Sequence, residues 1–133
     1  MLVWDAIAKE ALADYETLRS EEQTIWVVEL LNGEIANGGL VQYFANTSGE
    51  HVDGTVEALK RIGAFTHLAV FEEAVARWRL ERSTLEPLWE TLEGFSRSYE
   101  VSRLPQLDDG WYEVAIEPFE AAFIRANLPV FAS

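Results

Sequence analysis

The chain has no cysteine in 133 residues, only two histidines, and fewer than half as many basic side chains as acidic ones: 10 Lys plus Arg against 23 Asp plus Glu. Without cysteine there is no disulfide, no thiolate nucleophile and no cysteine-ligated zinc, and nothing argues for an oxidising compartment. His51 with Asp53 and Glu57 has the residue types of a metal cluster, but neither it nor His67 sits at a zinc spacing. Both histidines therefore read as ordinary surface or helix-end residues, and neither a metal nor a cofactor is expected. Ser48 before Gly49 lacks a nucleophile-elbow context, and no glycine loop is followed by a phosphate-binding lysine, so no enzyme is expected. Long apolar runs are missing as well. Asp5 and Lys9 interrupt the N-terminus too early for a secretory signal, which makes a cytoplasmic location without membrane contact the expectation. The formal net charge of -13 disfavours direct binding to phosphates.

What is present is enough for a real core. Apolar residues make up 49% of the chain and five tryptophans are spread along it, a composition that folds rather than staying disordered. Apolar spacing is helical almost throughout, with no sustained period-two alternation, so residues 1–133 read as one all-α domain of about six to seven helices.

A first helix is predicted over about residues 3–18. Ser20 and Gln23 have capping-box spacing ahead of a second, with Ile25, Val28, Leu31 and Ile35 on one face. Leu40, Tyr43 and Phe44 belong to a third helix, and a fourth from about Glu50 carries Val52, Val56, Leu59 and Ile62, ending at Gly63. Thr66 is the predicted cap of a fifth, which buries Leu68, Phe71, Val75 and Trp78. Ser83 with Glu86 predicts the start of a sixth, carrying Leu88, Leu92, Phe95 and Tyr99. Residues 103–110 read as the longest loop, and Asp108 or Asp109 opens a last helical region that Pro118 must break.

The segment from Gly33 to Gly49 concentrates polar side chains between apolar flanks. Asn-Gly favours a hairpin only between strands, and helical spacing flanks Asn37, Gly38 and Gly39 on both sides, so a helix-to-helix junction is predicted. Glycine supplies the left-handed backbone, Asn37 shares it or caps the next helix, and Gln42 and Asn46 satisfy backbone groups at the bend. Ile35, Leu40 and Phe44 should then share one core.

At these residues the chain resembles a bacterial all-helical family named after its best-known member, a DNA-mimic protein. The likeness centres on Glu34, Asn37, Gly38, Gly39, Gln42, Tyr43, Phe44 and Asn46, with the Ile62, Gly63, Ala64 turn as a second anchor. It implies a compact helical fold, a homodimer as a candidate assembly and, in at least one member, an acidic surface that occupies the nucleic-acid site of a DNA-binding protein. The motif residues are fold residues, whereas mimicry depends on surface acids that no motif marks.

Those acids fall into rows at helical spacing: Glu50, Asp53 and Glu57; Glu86, Glu90 and Glu93; and Glu113, Glu117 and Glu120, the last interrupted by Pro118. Like charges at these spacings each cost a helix a few tenths of a kcal/mol, a cost that selection for stability alone would avoid. Glu57 with Arg61 and Glu93 with Arg97 are the compensating pairs expected. The reading is a non-enzymatic acidic domain whose partner is a basic, DNA-binding protein. An immunity protein covering a basic nuclease toxin is the related alternative, and a small-molecule or enzymatic domain would instead need a pocket lined by Asn37, Gln42, Tyr43 and Asn46.

Overall fold

The computed structural model describes residues 15–132, so the predicted first helix lies almost wholly outside the described residues. Among those residues there are seven α-helices, one short 3-10 helix and no strand, in keeping with the apolar spacing. We number them α1 (Ser20–Thr47), α2 (Val52–Arg61), α3 (Phe65–Leu88), α4 (Leu92–Val101), α5 (Asp108–Trp111), α6 (Glu117–Ala126) and α7 (Leu128–Phe131), with the 3-10 turn Leu104–Leu107 leading into α5. No helix among the described residues is long and apolar enough to cross a membrane.

The helix α1 is two helices joined at Gly39, where φ is 80° and ψ is -175°. Its first half buries Val27, Val28, Leu31 and Ile35, its second Leu40, Val41, Tyr43 and Phe44, so the bend turns both apolar stripes into one core. Phe44 stacks on Trp78 of α3 at 4.8 Å and lies near Phe71, whose ring meets Tyr43 edge-on at 5.7 Å. Each of these large rings, removed from water, contributes about 1.5–3 kcal/mol or more by burial alone. The stripe of α3, Leu68, Phe71, Val75 and Trp78, is buried as its spacing predicts. Ile62 and Gly63, the latter at φ 79°, turn the chain from α2 into α3.

Several boundaries differ from expectation. Ser20 is the first residue of α1 rather than its cap: the Glu22 carboxylate accepts the Arg19 N–H at 3.0 Å, and Gln23 donates instead to the Tyr15 carbonyl. Thr66 caps nothing, since α3 already starts at Phe65 without a side-chain cap. The predicted start at Ser83 is also wrong, because α3 runs on to Leu88 with Pro87 in its last turn, where only one hydrogen bond is forfeited. The true start is Thr91, whose hydroxyl accepts the Gly94 N–H at 3.0 Å. Leu92, expected in the core, is exposed. The predicted loop over 103–110 is largely helical turn. Pro118 does mark a break, since the chain leaves α5 at Trp111 and restarts with Pro118 in the first turn of α6.

Candidate functional site: the glycine junction and the acidic surface

The junction is built from side chains that an unbroken helix would hold apart. Positions eight and twelve residues along a straight helix lie about 12 and 18 Å further up its axis. Here Gln42 Nε2 and Asn46 Nδ2 donate to the same Glu34 carboxylate oxygen at 3.1 and 2.8 Å, because the chain folds back at Gly39. The two amides thus serve the buried carboxylate and not, as expected, the backbone of the bend. Asn37 is exposed and does not cap. Its predicted role belongs to Asp108, 68 residues beyond Leu40, whose carboxylate accepts the Leu40 N–H at 2.9 Å, satisfying a donor orphaned where the second half-helix begins. Burial pushes the Asp108 carboxyl above its ordinary value, against the Leu40 hydrogen bond that holds it down. From α4, Tyr99 donates to the Gly38 carbonyl at 2.6 Å.

Space is as constrained as hydrogen bonding. A Cβ on Gly39 would run into the Asp108 carboxylate, and one on Gly38 into the Gln42 side chain. Tyr43 and Phe44 are entirely buried, and burial raises the Tyr43 hydroxyl to about 12, so it stays protonated. A surface recess at the motif is lined by Glu29, Leu30, Gly33, Glu34 and Asn37; Gln42, Tyr43 and Asn46 do not line it. The junction is therefore a structural clamp, with little of itself offered to a ligand.

The acidic rows are rearranged by the tertiary fold. Glu50, Asp53 and Glu57 are all exposed, but Glu50 precedes α2 and so leaves the helical row. Glu57 pairs with Lys60 at 3.5 Å and not with Arg61, which reaches Glu21 at 3.9 Å and the Ser20 hydroxyl at 2.7 Å. Asp53 shares a recess between α2 and α3 with Glu72 and Arg79. Glu86, Glu90 and Glu93 do not form one helical face: Glu86 ends α3 in an ion pair with Arg82, Glu90 is in the turn, and Glu93 opens α4. The expected Glu93–Arg97 pair is not among the ion pairs of the described residues. Glu113 lies in the turn after α5 and Glu117 opens α6, both exposed.

Glu120 is the clearest correction, because it is 5% exposed and so cannot be a surface acid. It faces Glu29 of α1, and burial, first of all, with Glu29 and Glu117 beside it, raises its carboxyl to about 8. Glu29 carried no signal in the sequence, since its partner is far along the chain on another element. Both histidines stand at helix starts, as expected, His51 as the N-cap of α2 and His67 in the first turn of α3, but neither is on the surface. His51 is packed edge-on against Tyr15 and Trp26, and His67 against Trp111 and Phe119, with its Nε2 2.7 Å from the Val114 carbonyl. Burial lowers both, so they sit in the core as neutral rings.

Acids outnumber bases on the surface that remains, although Arg79, Arg97, Arg103 and Arg125 are exposed there too. Among the described residues the ion pairs are Lys60–Glu57, Arg61–Glu21 and Arg82–Glu86. Exposed acids such as Glu50, Asp53, Glu72, Glu73, Glu90, Glu93, Asp109, Glu113 and Glu117 have no place in them. No curated protein and no solved structure was found to match the chain. A protein-family model described as DMP19-like protein matches residues 16–127, which takes in the junction, its clamps and all the acidic rows, and the chain belongs to that DMP19-like family.

Proposed function

We propose that this protein is a non-catalytic acidic module that occupies the nucleic-acid site of a basic, DNA-binding protein, its carboxylates standing in for backbone phosphates. The observation that carries the reading is the excess of exposed carboxylates outside the ion pairs of the described residues, on a chain of net charge -13 from the DMP19-like family. A surface with an excess of one sign steers an oppositely charged partner and releases the counterions condensed around both. Glu34, Gln42 and Asn46 of the motif, which would otherwise be the first choice for chemistry, are already committed to each other inside the bend.

The test is capture of the partner from the native host at low salt, elution with a salt gradient, and measurement of affinity with the purified pair. Affinity should fall by roughly tenfold or more between about 50 and 200 mM NaCl, and duplex DNA should compete for the same site. Binding that ignores both salt and DNA would remove the electrostatic mechanism.

A further inference from the structure

A surface groove of about 330 Å³ lies against α1, lined among others by Asn32, Ala36, Trp111, Tyr112, Ile116 and Glu117. Its floor is apolar and fixed: Trp111 is buried with its indole N–H donating to Asn32 Oδ1 at 2.9 Å, and Ile116 is 3% exposed. One wall is the Tyr112 ring, 54% exposed and open to stacking. Glu117, exposed and outside every ion pair among the described residues, supplies the charge at the rim.

Next to Glu117 stands a buried carboxyl that is not part of the groove lining. Glu120 is buried with Glu29 facing it from α1, and its Oε2 has no hydrogen-bond partner. Of these three carboxyl groups Glu117 lines the groove, and none of them is ion-paired to a lysine or arginine of this chain among the described residues. A cation seated at the rim meets an uncompensated carboxylate at Glu117.

The chemistry that fits is narrow. An anion is repelled, and a neutral apolar group would leave the Glu117 carboxylate desolvated and unmatched. A flat cation that gives paired N–H donors to a carboxylate while its face lies on an aromatic ring fits every part. That describes a guanidinium better than an ammonium, which is compact and more strongly hydrated. We propose that this groove seats an arginine side chain of the basic partner, Tyr112 stacking on its face and Glu117 accepting its N–H groups. The proposal rests on the function proposed above and narrows the acidic contact to one place and one chemistry.

The probe is acetylated hexa-arginine amide, with hexalysine in parallel, titrated at low salt into the ¹⁵N-labelled full chain. The Trp111 indole and the Asn32, Ala36 and Glu117 amides should shift in step, with the Trp78 indole unmoved. Glu117→Gln and Tyr112→Ala, both at exposed positions, should each weaken hexa-arginine by about tenfold, and hexalysine should bind more weakly than hexa-arginine. Asp53→Asn removes the same charge from a different recess and should cost no more than about twofold. Equal losses for Asp53→Asn and Glu117→Gln, or equal binding of the two peptides, would overturn the arginine groove while leaving the acidic-surface reading intact. Absence of salt-dependent binding to either peptide overturns both.

Discussion

Among single residues, three glycines in one chain have three different reasons to be there. Gly39 stands at φ 80° and ψ -175°, a region that side chains avoid, and its missing Cβ leaves the room the Asp108 carboxylate uses to reach the Leu40 N–H. Gly39→Ala should cost about 3 kcal/mol, joining backbone strain to a lost cap. Gly63, at φ 79° but with open space where a methyl group would stand, should cost only about 1–2 kcal/mol on the same change. Gly33 is helical, exposed and equally uncrowded, so Gly33→Ala should stabilise by about 0.5–1 kcal/mol. Urea unfolding of the three variants checks the order, and a Gly39→Ala as mild as Gly63→Ala would count against the clamp. The need for a special backbone at Gly39 was legible, since helical spacing on both sides of paired glycines leaves few alternatives. The clamp itself was not, because Glu34, Gln42 and Asn46 meet only after the chain has reversed, and Asp108 and Tyr99 arrive from elements 61 to 68 residues away.

Among the helices, the corner between α3 and α4 shows how a local signal can be outweighed. Ser83, Glu86 and Pro87 have the pattern of a helix start, yet they continue α3, whose register is held by the buried Leu85. Thr91, in extended conformation, makes the real start, and Gly94 keeps the Leu88 carbonyl free of a Cβ. Thr91→Ala should lower stability by about 1 kcal/mol, read from the urea midpoint at unchanged slope, whereas Ser83→Ala should change it by less than about 0.5 kcal/mol. The reverse order would restore the start at Ser83. This corner also breaks the row Glu86, Glu90, Glu93, which presumed a single helix through all three. Spacing along the chain finds neighbours only while the helix continues, so a row that crosses an element boundary does not survive as one face.

In the molecule as a whole, stability is tied to pH through groups whose burial no linear reading could supply. Glu120 has an ordinary value of 4.5 and is raised to about 8 in the folded protein, so between those values the native state holds a proton that the unfolded chain has released. Its contribution is fully present below the lower value and is lost as pH rises through the upper one. His51 and His67 are lowered by burial from 6.5, so theirs is lost in the other direction, as pH falls below that value. Above about pH 6.5 Glu120 acts without them, and the melting temperature should decline between about pH 6.5 and 8.5. In Glu120→Gln that decline should be markedly flatter; an unchanged slope would mean that Glu120 is ionised in the native protein. The helical class, the bend at the paired glycines, most of the core stripes and the excess of negative charge could all be read along the chain, because each depends on composition or on residues within a few turns of one another. Which acids remain at the surface, which one is buried against another carboxyl, and that Tyr112 and Glu117 line one groove beside α1 were settled by folding alone, because burial and charge spacing depend on which distant segments pack together.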